Sequence, residues 1–224
     1  MRIKTINNTS SNFEDKDIKW YLFDEQLWIT KYQEYYQIEE SIDKSIGSFN
    51  WLYEVNDTVL FDRKKGSFET AIIDLSEKIK ISYSKRISNC SSDWNKGIVF
   101  ICDKTNQTFE FPQVVFYSEY YDCLYALPEE IKKQQYSIVY IANNFGFVIV
   151  ENQLKGWILR NASKHIYSGE GIINISKFLL VKYIDAINHL VKEDLTKIHN
   201  LISYLDKKND FTSQALKNKL YELL

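Results

Sequence analysis

What most constrains this chain is its surplus of bulky rings against its shortage of residues that let backbone turn sharply. Sixteen tyrosines, 13 phenylalanines and five tryptophans stand against seven glycines and two prolines in 224 residues. A chain this long can bury a large aromatic core without disulfides or a structural metal. The scarcity of glycine bears on chemistry as well. Phosphate-cradling loops and strained catalytic turns use backbone conformations that glycine supplies most cheaply.

Charge narrows the partners. The 28 basic and 30 acidic residues leave a formal charge of −2, which gives no net drive toward nucleic acid or an anionic membrane. The N-terminal MRIKTINNTSSNFEDKD has no apolar segment of the kind a secretory signal requires. The longest apolar stretch, Ser137 to Val150, is interrupted by Asn143 and Asn144, well short of the ~18 residues of a spanning helix. The three cysteines, Cys90, Cys102 and Cys123, are widely spaced and fit a reducing compartment. The expectation is a soluble, cytoplasmic protein with no cofactor. Its Ile/Lys/Asn/Tyr-heavy vocabulary points to an AT-rich, bacterial or viral genome.

Residues 1–17 are polar and read as a flexible arm. A strand is expected at Ile18–Phe23. From Asp24, with Gly47 as its end, the spacing of Trp28, Tyr32, Tyr35, Ile42, Ile46 and Phe49 reads as a helix face. Trp51–Val55 and Thr58–Asp62 around Asn56 and Asp57 read as a hairpin. Ser67 then reads as the cap of a second helix presenting Phe68, Ile72, Leu75, Ile79 and Tyr83. Residues 97–160 read as β. Ile98–Cys102 is a continuous apolar run expected to be covered on both faces, and Pro112 interrupts a strand from Gln107 to Tyr117. Leu127–Glu130 resembles a helix start, and Ser137–Ala142, Phe145–Glu151 and Gly156–Arg160 form a meander. The last 50 residues carry a Leu/Ile stripe from Leu180 to Leu205, on one bent helix or two, and Asp210 caps a terminal helix.

These elements add up to an α+β fold. It has a mainly antiparallel sheet, with hairpins and a meander in ~50–62 and ~97–160, two helices in the N-terminal half and a helical C-terminal region. The domains are an arm at 1–17, an α+β domain at 18–168, and a helical part at 169–224 packed on it.

Asp122 followed by Glu130-Ile131-Lys132 resembles the acid and E-x-K pattern of the restriction-endonuclease-like nucleases. There paired carboxylates hold a divalent metal and the lysine polarises the attacking water. Here the E-x-K follows Pro128 and reads as an exposed helical turn rather than a strand. A cysteine nucleophile has one conceivable partner pair, Cys123 with His165, and no local motif. His189 and His199 are ten residues apart, about 80° from a common face on a continuous helix. Gly169-Glu170-Gly171 lacks the remainder of a phosphate-binding motif and reads as a helix-capping loop. No other metal pattern is present.

The aromatic segment Tyr117-Ser118-Glu119-Tyr120-Tyr121-Asp122 is different, because no single periodic face buries all of it. Tyrosine gives large contact area with few rotamers and a polar tip. Tyr117, Glu119, Tyr120, Tyr121 and Asp122 are therefore the expected partner-binding residues, on an acidic surface suited to a basic protein. The leading expectation is a non-catalytic module that binds and neutralises a macromolecular partner, in the style of bacterial immunity proteins and other inhibitors. That likeness is one of style and covers no motif. The alternative is a metal-dependent nuclease or other hydrolase using Asp122, Glu130 and Lys132. The C-terminal helices offer a surface for homo-oligomerisation.

Overall fold

Period-two alternation governs more of this chain than helical spacing suggests. The structure, a computed structural model, describes residues 1–7, 13–22, 25–49, 57–75, 79–82, 95–106, 108–128, 136–190, 194–208 and 210–224. The elements of the first half are β1 (Ile3–Asn7), β2 (Ile18–Tyr21), β3 (Gln26–Thr30), α1 (Tyr35–Ser41), β4 (Ser45–Ser48), β5 (Thr58–Asp62), β6 (Phe68–Asp74), β7 (Lys80–Ser82) and β8 (Asn95–Ile101). There follow β9 (Val115–Ser118), β10 (Cys123–Ala126), β11 (Ser137–Tyr140), β12 (Phe145–Val150), β13 (Gln153–Arg160), β14 (Ile166–Tyr167) and β15 (Ile172–Ile173). Three helices close the chain: α2 (Lys177–Leu190), α3 (Thr196–Leu205) and α4 (Phe211–Tyr221).

The strands form two sheets. One runs β1-β8-β11-β12-β13-β10-β9-β7, the other β15-β14-β2-β3-β6-β5-β4. Both are mixed: most neighbouring strands pair antiparallel, in part as expected, but each sheet also holds parallel neighbours. β8 runs parallel to β11, β7 to β9, and β2 to β14. The meander is present as expected, since β11, β12 and β13 pair antiparallel in sequence order.

Alternate side chains of the two sheets meet in a common core. Phe145 and Phe147 of β12 and Trp157 of β13 point into it, while Val148 and Ile158 point to the opposite face. The Phe68 ring of the second sheet meets Phe147 edge-on at 5.2 Å, and Phe111 stacks on Phe147 at 5.9 Å. Leu180, Tyr183 and Ile184 of α2, Ile198 and Ile202 of α3, and Leu216 and Leu220 of α4 belong to the same apolar cluster. Asn188 of α2 also donates to the Ile79 carbonyl at 2.8 Å. At ~25 cal/mol per Å² of apolar area, this continuous burial is the chief stabilising term.

Several expected elements differ. The helix over 24–47 is replaced by β3, the seven-residue α1 and β4. Trp28, Tyr32, Ile42 and Phe49 still gather in one cluster, packed with Ile38, Leu60 and Ile72 on the outer face of the seven-stranded sheet. Strand β3 supplies Trp28, the 3-10 turn after α1 supplies Ile42, and irregular chain supplies Tyr32 and Phe49, so no single helix carries them. The helix from Ser67 is β6, paired with β3 and β5. Glu69 is an extra residue there, since Leu60 faces Thr70 and Phe61 faces Phe68. That bulge puts Phe68 in the core and Ile72 on the outer face. The N-terminal arm contains β1, paired antiparallel with β8, and Ile3 is fully buried.

In β8 only one face is covered. Val99 and Ile101 are buried, Ile98 and Phe100 half-buried, and Cys102 beyond the strand is exposed. Pro112 precedes β9 in irregular chain. Of the expected hairpin, Thr58–Asp62 is β5, paired with β4 and β6, and Trp51–Val55 lies outside the described residues. The helix start at Leu127–Glu130 also runs into undescribed residues. The C-terminal stripe divides between α2 and α3, and Asp210 caps α4 by accepting from the Ser213 amide at 2.9 Å.

Candidate functional site

β9 and β10 pair antiparallel with Ser118 opposite Cys123, so Glu119–Asp122 form the connection between them. Asp122 closes it at φ 50°, in the left-handed region that a short polar side chain tolerates. This backbone twist turns the Asp122 side chain inward. Its Oδ1 accepts from the Tyr117 hydroxyl at 2.9 Å and from the Ser163 amide at 3.0 Å. Its Oδ2 accepts from the Ser163 hydroxyl at 2.6 Å. The Asp122 carbonyl accepts from the Ala162 amide at 3.0 Å. The last three of these four bonds tie the β9–β10 turn to the 3-10 turn Ala162–Lys164 that follows β13, and the Tyr117 bond ties it back to β9. Burial, and then the charge and hydrogen bond of Asp122, push the Tyr117 hydroxyl well above its usual pKa.

The rest of the turn faces outward. Tyr120 is 53 % exposed, and Glu119 and Tyr121 are half-buried. The Tyr120 and Tyr121 rings meet edge-on at 4.8 Å. Lys177, the first residue of α2, donates to the Tyr120 carbonyl at 3.3 Å. The five expected partner-binding residues therefore divide. Glu119, Tyr120 and Tyr121 lie at the surface, whereas Tyr117 and Asp122 lie inside and present no contact area.

A second polar cluster lies beside this pedestal, and nothing in the sequence pattern announced it. Asn161, at φ 51°, donates through Nδ2 to Asn144 Oδ1 at 2.9 Å. That bond directs the Asn144 amide nitrogen at His165 Nε2, 3.2 Å away. A neutral His165 accepting there carries its proton on Nδ1, which is buried without a hydrogen bond of good geometry. Burial lowers the His165 pKa, against the pull of Asp15, the Ile18 carbonyl and Asp122. Nearby, Arg160 donates to the Tyr140 hydroxyl and lies over that ring at 5.5 Å.

Both Asp122 oxygens are occupied, so a metal there would have to displace two hydroxyl donors and an amide; Glu130 and Lys132 lie outside the described residues. Ser163 is buried and gives its hydroxyl proton to Asp122. Cys123 is buried with its sulfur 4.0 Å from the Leu124 carbonyl, while His165 engages Asn144. His189 Nδ1 lies 2.8 Å from the Asp185 carbonyl, and His199 is exposed. Gly169-Glu170-Gly171 forms the hairpin between β14 and β15, not a helix cap; Gly169 takes φ 95° and Ser168 bonds the Gly171 carbonyl. Among the described residues no group of three or more His, Cys, Asp or Glu could hold a metal, and no helix is long and apolar enough to cross a membrane. What the arrangement can do is hold two rings rigidly at a surface. No protein-family model matches the chain, and a search of the curated proteins finds no match.

Proposed function

We propose that this protein is a non-catalytic binding module that recognises and neutralises another protein, in the manner of an immunity protein, with Tyr120 and Tyr121 at the centre of its contact surface. One observation carries the reading. The most exposed ring of the segment is mounted on a turn that four buried hydrogen bonds hold fixed. A contact residue fixed before binding loses little entropy on association, and tyrosines so placed are typical anchors of protein interfaces. No observation favours the hydrolase alternative.

The test is capture with the tagged, nuclease-treated protein from cells of its source, compared with Tyr120→Ala/Tyr121→Ala. A stoichiometric partner lost in the double variant, whose own activity falls when the wild-type protein is added, is the expected result. Capture that is identical for both proteins rules out the tyrosine turn as the contact. A captured partner whose activity is unchanged by the added protein rules out neutralisation.

A further inference from the structure

Resting on that reading, we infer that the contact surface continues from Tyr120 through Lys177 onto the outer face of α2 and α3, and that it takes an acidic segment of the partner protein. The basic partner expected from the sequence depended on Glu119 and Asp122 sharing the surface. Asp122 is inside, hydrogen-bonded to Tyr117 and Ser163, so its charge is spent there. The group that joins the turn from the helices is instead a lysine, Lys177.

Beyond it the cations accumulate. Phe178, 51 % exposed, and Tyr204 meet edge-on at 6.2 Å. The Lys182 ammonium lies 4.8 Å from the Phe178 ring centre and 5.6 Å from that of Tyr204. The Lys208 ammonium lies 4.9 Å from the same Tyr204 ring. Two positive charges thus share one ring, and among the described residues neither forms an ion pair. Several carboxylates of the helical region are bonded to other groups. Asp185 pairs with Lys197 at 3.0 Å, Asp206 with Lys217 at 2.9 Å, and Glu222 with Lys219 at 2.9 Å. Asp194 caps the Thr196 amide, and Asp210 is held by the Ser213 amide and hydroxyl, its charge also facing the Lys208 ammonium without forming an ion pair.

Two ammoniums beside exposed ring surface suit a carboxylate pair flanked by an apolar side chain. Desolvating such a cluster without a counter-charge would be costly, so the partner must bring one. Nucleic acid suits the site less well, because base stacking needs ring faces and lysines already lie over both rings.

The experiment uses the full-length protein with labelled aromatic rings, titrated by NMR with poly-L-glutamate, poly-L-lysine and oligo(dT). Poly-L-glutamate is expected to shift the Phe178 and Tyr204 rings, more weakly as salt rises. Lys182→Glu/Lys208→Glu is expected to weaken that binding at least tenfold; Lys182→Gln/Lys208→Gln serves if the first variant fails to fold. No shift with poly-L-glutamate, an equal shift in the variant, or tighter binding of oligo(dT) or poly-L-lysine at these rings would each overturn the inference. Any of those failures leaves the binding-module reading intact, because that is decided by partner capture with the tyrosine variants.

Discussion

Tyr117 and Tyr120 stand three residues apart in one tyrosine-rich segment, yet Tyr117 is fully buried and Tyr120 keeps about half its surface in water. Tyr117 belongs to β9, where alternation sends it to the inner face of the eight-stranded sheet. Tyr120 belongs to the turn, where alternation ends. Asp122 marks the far side of that turn and is drawn inward by the Tyr117 hydroxyl and by Ser163. One six-residue segment therefore contains a structural half and a presenting half. The first sets stability, and the second carries the exposed Tyr120 ring on which the proposed recognition rests.

The largest expected effect falls on the structural half. Asp122→Ala leaves the Tyr117 hydroxyl and the Ser163 amide and hydroxyl without their acceptor, and it forces alanine into the left-handed region. A loss of about 3 kcal/mol in urea-denaturation stability is expected. A loss below about 1 kcal/mol would mean that the turn is held by its strands alone.

Acid should act next, through His165. Its folded pKa is below the ordinary 6.5, so the unfolded chain takes up the proton first as pH falls. The stabilisation is complete above 6.5 and is lost as pH drops through the folded value, with a slope bounded at about 1.4 kcal/mol per pH unit for one proton. Asp57 has the opposite sign. Burial outweighs the Asp74 and Phe111 amides that bond it and raises its pKa to about 6. The folded chain then holds the proton more tightly, so its contribution declines as pH rises from 3.8 through 6. Stability curves for His165→Asn and Asp57→Asn should depart from the wild type in opposite directions across that range. Departures of the same sign would refute the assignment of one of the two.

How legible this was depends on the range of the determining contacts. The β11–β13 meander and the Asp210 cap are readable because the Asn143-Asn144 turn and the Asp210–Ser213 bond are local, although β13 begins at Gln153, three residues before the expected strand at Gly156. The helices expected over 24–47 and from Ser67 failed because apolar residues four apart also occur along a strand. In β6 the Glu69 bulge then sorts Phe68 and Ile72 to opposite faces, a distinction no sequence spacing carries. The pedestal was hidden for a different reason. Ser163 lies 41 residues from Asp122 and approaches it only because β10 pairs with both β9 and β13. Reading Asp122 as surface charge gave the wrong location for that charge. The lysines of α2 and α3 were visible as letters, but whether carboxylates neutralise them depends on tertiary pairing.

Smaller effects separate the two tyrosines. Tyr117→Phe removes one donor to Asp122 and leaves both Ser163 bonds, so it should cost about 1 kcal/mol. Tyr120→Ala should change stability by less than about 0.5 kcal/mol, because the Lys177 bond is to its backbone carbonyl and survives the substitution. Among the contacts it loses is the edge-on meeting of its ring with Tyr121. The diagnostic quantity is the ratio of the two phenotypes. Tyr117→Phe should lower the unfolding midpoint while leaving partner capture unchanged, and Tyr120→Ala should do the reverse. If Tyr120→Ala instead unfolded the protein as readily as Asp122→Ala, the exposed ring would be part of the scaffold, and the division of this turn into a holding half and a presenting half would fail.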